Sequence, residues 1–367
     1  MAKKRSKILS ELILRPISVV YGAAVWLRNK FYDWGWKKSR SFDIPVIVVG
    51  NLAVGGTGKT PHTEYIVSQL AGEYKVAVLS RGYKRLTKGF ILASTTSSPD
   101  DIGDEPYQMY NKFLGKIKLA VCEDRCFGID RLREIYPDIN LVILDDAYQH
   151  RRVKPTISVV TMEYNRMPDI DKFLPYGRLR DSFDSLRRAT MVIVTKCPEM
   201  NPLDFRLVKN RLNLYPSQHL FFSQYAYGNM QSVFPEFSTY IPYMTQLTEA
   251  DSILCVTGIA NPRPFVRYLR SFKAKVKVIH FSDHHRFEKH DLDLIASRYN
   301  KLSDKARRMI VTTEKDAVRF ANNPYFPQAL KSCIFYIPIE VQFVNFQREN
   351  FVQELRDELR QASQATH

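Results

Sequence analysis

The chain has 367 residues, of which 45% are hydrophobic and 25% charged, and its formal net charge is +16. This composition excludes an intrinsically disordered chain, and the length allows about two domains with substantial cores. Basic charge alone does not decide between nucleic acid, anionic lipid and a phosphorylated substrate as the binding partner.

The first segment, residues 1–40, holds half of the net charge, with ten Lys and Arg against Glu11 and Asp33. Residues 8–36 are apolar and aromatic, but their longest charge-free run has only twelve residues, whereas a spanning helix needs about twenty. A signal peptide is disfavoured because no clear cleavage site follows. We predict an amphipathic helix lying in a membrane interface; the alternative is a helix that only caps the first domain.

Residues 44–60 are typical of a buried strand followed by a glycine-rich loop. Such glycines let successive backbone N–H groups point at phosphate oxygens. Lys59 can reach the β- and γ-phosphates, and the Thr60 hydroxyl can ligate Mg²⁺. The strict pattern has glycine where this chain has Ala53. The predicted ATP-binding residues are Ala53, Val54, Gly55, Gly56, Thr57, Gly58, Lys59 and Thr60.

A helix over 61–70 and a strand over 75–79 complete a βαβ unit. We therefore expect a parallel sheet with a right-handed crossover and ligands at the carboxyl ends of its strands. Arg81 directly follows the second strand, which makes it a candidate for the wall of the site.

Four carboxylates lie within residues 100–105, in front of a helix predicted over 107–113. Acidic residues at a helix N-terminus are favoured by the helix dipole, which accounts for one or two of the four. The functional interpretation is a general base or a metal ligand, because phosphoryl transfer to a hydroxyl needs a group that accepts its proton. The residues alone leave both interpretations open.

The apolar strand 140–144 runs directly into Asp145 and Asp146. A strand of this kind downstream of a phosphate loop is the Walker B arrangement, which puts a carboxylate beside Mg²⁺. Gln149 and His150 follow near the same strand edge, and Arg180 lies in an arginine-rich loop suited to phosphate or carboxylate.

The second half alternates strands and helices again, which predicts a second α/β domain. Loosely alternating aromatic and polar residues over 221–237 predict a β ribbon as the connector. The predicted organisation is an N-terminal membrane-associated helix (1–40), a nucleotide-binding catalytic domain (41–215), a connecting β ribbon (216–240) and a second α/β domain (241–367).

The five cysteines, Cys122, Cys126, Cys197, Cys255 and Cys333, are odd in number and scattered. This pattern argues against a disulfide framework and for a reducing compartment. Cys122 and Cys126 lack a second close pair or a nearby histidine to complete a zinc site, so ordinary thiols are expected.

Several blocks of the chain resemble, in order, the tetraacyldisaccharide 4'-kinases, the lipid A 4'-kinases of the inner membrane. They are GNLAVGGTGKTP (50–61), SRGY (80–83), GDEP (103–106), LDDAYQH (144–150), LPYGRLR (174–180), TGIANP (257–262), DH (283–284) and TEKDA (313–317). The resemblance covers roughly residues 40–320. It implies a P-loop kinase that uses ATP and Mg²⁺ to phosphorylate the 4'-hydroxyl of an acylated glucosamine disaccharide 1-phosphate.

The same resemblance implies roles for single residues. Asp104 matches the family's catalytic aspartate, and its histidine partner falls on His284, with adjacent His285 as the alternative. Asp145 and Asp146 match the acidic pair that serves Mg²⁺. Further candidates for substrate contacts are Arg81, Glu105, Arg125, Gln149, His150 and Arg180. The basic N-terminal helix matches the family's membrane anchor, which places the protein on the cytoplasmic face of the inner membrane.

Some positions depart from the family pattern: Lys84 and Ala147 replace common glycines, and residues 152–155 read RVKP. The alternative function is a membrane-surface ATPase of the partitioning type, which carries a signature lysine where this chain has Val54. A nucleic-acid ATPase is disfavoured because the charge clusters beside Trp and Phe in an apolar segment, and no protein partner is implied.

Overall fold

Two β-sheets organise the computed structural model, which describes residues 10–238, 240–283, 285–303, 306–345 and 347–364. The strands of this described part are β1 (Val46–Gly50), β2 (Val76–Ser80), β3 (Ile91–Leu92), β4 (Lys118–Val121), β5 (Leu141–Asp145), β6 (Ile157–Glu163), β7 (Met191–Thr195), β8 (His219–Tyr227), β9 (Gln231–Ser232), β10 (Ser252–Thr257), β11 (Lys275–His280), β12 (Arg308–Thr313), β13 (Ile334–Ile337) and β14 (Ile339–Phe343).

The first sheet has the strand order β14-β8-β7-β6-β1-β5-β2-β4-β3. Its seven inner strands run parallel, and antiparallel β14 and β3 close the two edges. Strand β1 lies at the centre, where Val48 pairs with Leu144 on one side and Ser158 on the other. All five residues of β1 and of β5 are buried, as expected for parallel strands covered on both faces. The predicted mostly parallel P-loop-type sheet is confirmed.

Helices cover both sheets. In chain order they are α1 (Arg15–Asp33), α2 (Lys59–Leu70), α3 (Pro99–Ile102), α4 (Asp104–Lys112), α5 (Arg125–Ile135), α6 (Pro202–Leu212), α7 (Arg263–Arg270), α8 (Lys289–Asn300), α9 (Glu314–Ala321) and α10 (Gln347–Gln364). The second sheet has the order β11-β10-β12-β13-β9, parallel except for the short edge strand β9. It carries its own apolar cores, separate from those of the first sheet.

The C-terminal elements return to the first sheet. Strand β14 pairs with β8, and the Phe351 ring of α10 packs against Phe343 and Phe221 at centroid distances of 4.6 and 5.1 Å. The predicted boundaries 216–240 and 241–367 therefore need correction: β8 belongs to the first sheet and β9 to the second, and both β14 and α10 pack on the first sheet. The physical reason is that the apolar face of α10 is buried against first-sheet residues.

Helix α1 packs on the first domain along a narrow face of small residues. Its buried residues, Ser18, Gly22, Val25 and Asn29, recur every three or four positions and so lie on one side of the helix. A side chain at Gly22 would meet the Phe173 ring at 2.6 Å, so glycine permits this close approach. In the part of the chain that the structure describes, no helix has the length and apolarity needed to cross a bilayer.

Candidate active site

The glycine-rich loop connects the central strand β1 to α2 and is fixed by the neighbouring strands. Asn51 Nδ2 donates to Thr57 Oγ1 (2.6 Å), which also lies 3.1 Å from Thr161 Oγ1 on β6. Thr195 Oγ1 at the end of β7 donates to the Thr57 carbonyl oxygen (2.9 Å). Three strands therefore hold one residue of the loop, so the loop has a defined shape before any ligand binds.

Gly58, the last residue before Lys59, has a conformation and an environment that require glycine. Its φ of 90° is left-handed, and an added Cβ would lie 2.0 Å from the hydroxyl oxygen of Tyr225. Within the described residues this buried hydroxyl has no hydrogen-bond partner. A buried donor aimed at the glycine-rich loop fits a site that receives an acceptor-rich ligand.

Two further cations approach the open side of the loop. Cβ atoms built on Gly55 and Gly56 would lie 3.8 Å from Arg178 Nη1 and 3.6 Å from Lys196 Nζ, respectively. Both cations are oriented by carboxylates, because Arg178 pairs with Asp171 (3.1 Å) and Lys196 with Glu163 (3.5 Å). With Lys59, the loop is thus surrounded by positive charge suited to a polyphosphate.

His62, which sequence reasoning missed, ties α2 to the glycine-rich loop. Its Nδ1 lies 2.7 Å from the Gly58 carbonyl oxygen, which can only accept, so Nδ1 carries the proton. Nε2 then accepts from Ser223 Oγ on β8 (2.9 Å). Burial lowers the pKa of His62 to about 4. The signal in the sequence was the histidine two positions after Thr60, which falls one helical turn from the loop.

The acidic pair after β5 divides into two different groups. Asp146, in a left-handed conformation (φ 48°), lies 3.7 Å from Lys59 Nζ and accepts from Arg180 at 2.6 Å. Burial raises the pKa of Asp146, but the charges of Lys59 and Arg180 outweigh it, and the net pKa lies below the usual range. Arg180 also donates to Asn51 Oδ1, which fixes the pair to the start of the loop.

Asp145 is the more buried of the two and is 2% exposed. Burial first, then the charges of Glu105 and Asp146, raise its pKa to about 7, although Thr63 donates to it at 2.8 Å. The charges of Glu105 and Asp146 thus both act on Asp145, and Asp146 lies beside Lys59 of the loop. Carboxylates whose negative charges repel each other favour the binding of a hard divalent cation between them. Thr60, the other predicted Mg²⁺ ligand, follows Lys59 in the first turn of α2.

The predicted acidic block at 100–105 is divided between capping and the site. Asp101 caps α3, because its carboxylate accepts from the Ser98 N–H (2.8 Å) and hydroxyl (2.7 Å). Exposed Asp100 pairs with Arg286 at 3.0 Å. Asp104 and Glu105 begin the next helix, α4. The capping interpretation therefore holds for Asp101, and the functional interpretation stays a prediction for Asp104 and Glu105.

Asp104 is positioned by a close backbone contact. Gly103 (φ 91°) and Gly82 (φ 70°) pack against each other, and a Cβ on Gly103 would lie 3.2 Å from the Gly82 carbonyl carbon. The turn that follows β2 is thus held against the start of α4, which puts exposed Arg81 at the same edge of the sheet. This is the edge at which the sequence predicted the ligand wall.

The second sheet contributes two cations to this acidic pair. Arg319 of α9 donates from Nη2 (2.7 Å) and Nε (3.2 Å) to Asp104 Oδ2. Lys315 lies 3.5 Å from Glu105. Sequence reasoning gave Arg319 no role, although the spacing of Asp316 and Arg319 places both on one helix face.

Of the two histidines predicted as partners of Asp104, only His285 is among the described residues. His284 lies outside the described residues, so its pairing with Asp104 stays a prediction. The alternative, His285, places Nε2 2.8 Å from Asp291 Oδ2 and stacks on the Phe281 ring at a centroid distance of 4.7 Å. His285 is therefore engaged within its own domain.

The remaining predicted residues are held by local bonds. Arg125 is buried and donates from Nη1 to the Cys122 and Glu123 carbonyl oxygens; burial lowers its pKa, opposed by the charges of Asp145 and Asp146. Gln149 Nε2 donates to the Asn51 carbonyl oxygen at 2.6 Å, so its amide supports the loop.

His150 lies beside Cys126 and Asp124, with possible ligand atoms within 4.8 Å of one another. A histidine is thus near Cys126 in space, although none is near it in sequence. The Asp124 carboxylate is already used, since it caps α5 at the N–H groups of Cys126 and Phe127 and accepts from Arg152 (2.5 Å). Burial and the Arg125 charge lower the pKa of His150 to about 4. The five cysteines are free thiols, four of them buried.

The central parallel sheet, its glycine-rich loop and the acidic strand end define a protein of the P-loop α/β class. The family model for tetraacyldisaccharide-1-P 4'-kinase matches residues 10–360. The chain belongs to this kinase family.

Curated relatives agree with this assignment, and a solved structure has a similar fold. The tetraacyldisaccharide 4'-kinase of Bacteroides thetaiotaomicron is 47% identical over 350 residues, covering 93% of this chain and 91% of the relative. That of Phocaeicola vulgatus is 46% identical, with 95% of each chain covered. The fold is similar to that of LpxK from Aquifex aeolicus in complex with ATP, with a TM-score of 0.71, 24% identity, and 96% and 99% of the two chains covered.

Proposed function

We propose that this enzyme transfers the γ-phosphoryl group of ATP to the 4'-hydroxyl of a tetraacylated disaccharide 1-phosphate, a step of lipid A biosynthesis. The single observation that carries the site assignment is the arrangement of two groups around one sheet edge. The glycine-rich loop with Lys59 faces Asp146 (3.7 Å), and Glu105, next to Asp104, acts on the pKa of Asp145. The phosphate donor would therefore bind at the glycine-rich loop, and the acceptor hydroxyl would bind beside it, at Asp104.

ATP would be held by residues 53–60, which include Lys59. Two further cations, Arg178 and Lys196, lie near Gly55 and Gly56 of this loop. Mg²⁺ would be held by Thr60, Asp145 and Asp146, and when bound it supplies neutralisation of charge on the phosphate oxygens. Lys59 would offset the charge that develops during transfer. Arg180 keeps Asp146 in place from the opposite side.

Asp104 would act as the general base. The proton of the 4'-hydroxyl moves to the Asp104 carboxylate while the oxygen forms its bond to the γ-phosphorus and the bond from that phosphorus to the ADP oxygen breaks. Exposed Arg81 is a candidate to contact the acceptor at the same edge, since a guanidinium fork matches phosphate geometry. Buried Arg125 would support this edge from within, through its bonds to the Cys122 and Glu123 carbonyl oxygens.

We further propose that the enzyme works at the cytoplasmic face of the inner membrane, held there by α1. Large apolar side chains are exposed on the side of α1 that faces away from the domain, for example Val20 (69%) and Trp26 (52%), and so is Leu12 (69%) in the helical turn Ser10–Leu14 that leads into α1. A soluble helix normally buries such residues, so a lipid interface is the partner that fits. Trp26 and Trp34 stack edge to face near Lys30, as aromatic and basic groups do at headgroup level.

The deciding experiment measures transfer of labelled γ-phosphate from ATP to the disaccharide 1-phosphate lipid by the full chain. Asp104→Ala should lower turnover by roughly 10²-fold or more with ATP binding unchanged, because Asp104 takes the hydroxyl proton and is not among the residues that would hold ATP. Asp100→Ala is the matched control, since Asp100 lies in the same block but pairs on the surface.

Two outcomes would contradict the proposal. Near-normal turnover of Asp104→Ala would exclude this residue as the base. ATP hydrolysis that is equally fast with and without the lipid, with no labelled lipid formed, would favour the partitioning-type ATPase instead.

A further inference from the structure

A charged network links the second sheet to the start of α4. Arg319 of α9 is the connecting residue: its Nη2 and Nε both donate to one oxygen, Oδ2, of Asp104. The Arg319 side chain is 8% exposed and that of Asp104 is 24% exposed. Such a charge-assisted contact, with little water to screen it, holds the carboxylate more firmly than an exposed ion pair does.

Arg319 is itself held on its other side. Nη1 donates to Asp316 Oδ1 (2.8 Å) and to the Gly258 carbonyl oxygen (3.3 Å). Asp316 is fully buried and accepts from the Gly258 N–H (2.9 Å) and the Thr313 hydroxyl (2.7 Å). Because Gly258 and Thr313 stand at the ends of β10 and β12, the second sheet fixes the guanidinium group.

We propose that Arg319 is a positioning residue for the kinase reaction, which sets the orientation of the Asp104 carboxylate toward the acceptor hydroxyl. The planar guanidinium fork is engaged on two edges, so it cannot rotate without losing bonds to Asp104 or Asp316. This inference rests on the proposed function, in which Asp104 takes the hydroxyl proton. Arg319 exchanges no atom or electron in that step and acts only through the geometry and charge of Asp104.

A base held in one orientation reacts faster, because a misplacement of about 1 Å can cost roughly 10²-fold in rate. The orientation of Asp104 is set from the second sheet, whereas the glycine-rich loop belongs to the first. The complete site therefore requires both sheets to be in contact.

The test compares Arg319→Gln and Arg319→Lys with the native chain in the labelled-phosphate assay. We expect Arg319→Gln to lower kcat by roughly 10- to 100-fold, with the KM for ATP within about twofold of native. The kcat of Arg319→Lys should lie between those of Arg319→Gln and the native chain, because lysine keeps the charge but not the fork. Tyr107→Phe is the matched control, since it removes one interdomain hydrogen bond, from Tyr107 on α4 to Asn322, the residue that follows α9 (3.0 Å).

A double-mutant cycle separates positioning from a merely structural role. If Arg319 acts through Asp104, Arg319→Gln should slow an Asp104→Asn enzyme no further. The inference would be overturned if the fold-losses in kcat of the two single variants multiply in the double variant, or if Arg319→Gln keeps the native kcat. Thermal midpoints are measured for all variants, and if Arg319→Gln does not fold, the same cycle with Arg319→Lys gives the answer. Full activity of Asp104→Ala would instead remove the proposed base itself, whatever Arg319 does.

Discussion

His62 shows how a single buried side chain shapes the nucleotide site. Its ring connects the Gly58 carbonyl oxygen to Ser223 on β8, and it must be neutral to do so, because Nε2 accepts a hydrogen bond. Burial accordingly lowers its pKa to about 4, compared with about 6.5 for an unfolded histidine.

This difference in pKa predicts a pH dependence of stability. Between pH 6.5 and 4 the unfolded chain binds a proton that the folded chain excludes, so this stabilisation is complete above pH 6.5 and is lost as the pH falls toward 4. The loss amounts to roughly 3 kcal/mol. In urea unfolding, the free energy of unfolding should fall less between pH 7.5 and pH 5 for His62→Gln than for the native chain.

Exposed His290, 75% accessible in the second domain, provides the control for this measurement. His290→Gln should keep the native pH dependence, because this side chain is exposed to water and is not enclosed by the fold as His62 is. If the free energy of unfolding falls equally in His62→Gln and in the native chain, His62 is not the cause of the pH dependence.

At the scale of elements, α1 has two faces with different functions. The inner face of small residues packs on the first domain, with Asn29 Nδ2 donating to the buried Asp181 carboxylate at 2.7 Å. The outer face exposes Val20, and the preceding turn Ser10–Leu14 exposes Leu12. Packing on the first domain, one of the two interpretations that the sequence offered, is therefore observed, and the membrane role remains a proposal.

Substitutions on the two faces of α1 should separate these roles. Leu12→Glu with Val20→Glu should reduce sedimentation with anionic vesicles and leave the thermal midpoint unchanged, because no packed contact is lost. Gly22→Leu should instead destabilise the packed helix by about 1–3 kcal/mol, since its side chain would overlap the Phe173 ring. Unchanged vesicle binding by the double variant would contradict a membrane role for this face.

At the scale of the whole molecule, the two sheets meet mainly through polar contacts of α4 with α9, beside an aromatic contact of Tyr227 on β8 with Tyr268 on α7 (4.1 Å between ring centroids). Besides Arg319 and Asp104, these include Lys315 with Glu105, Lys112 with Glu314 (3.3 Å) and Tyr107 with Asn322. Each sheet has separate apolar cores. Polar interfaces of this kind permit relative motion of domains, which would allow substrates to enter and the site to close.

Separate cores joined by a polar interface predict two unfolding transitions in scanning calorimetry. A non-hydrolysable ATP analogue with Mg²⁺ should raise the transition of the first domain more than that of the second, because a ligand stabilises the unit that binds it. A single transition that shifts as a whole would show that the two sheets unfold together.

Local sequence determined much of the nucleotide half of this protein. A run of buried β-branched residues, a glycine-rich loop and an acidic strand end are adjacent along the chain, so periodicity and spacing were enough to predict β1, the loop, α2 and β5. The family blocks added the kinase assignment, and the matching family model agrees with it.

Only the tertiary structure decided which distant groups meet at the site. The contacts of Arg319 with Asp104, His62 with Ser223 and Thr195 with Thr57 join residues more than 130 positions apart. Likewise, the return of α10 to the first sheet depends on where its apolar face finds a surface. Such contacts depend on how the strands are ordered in a sheet, and no local pattern of residues encodes that order.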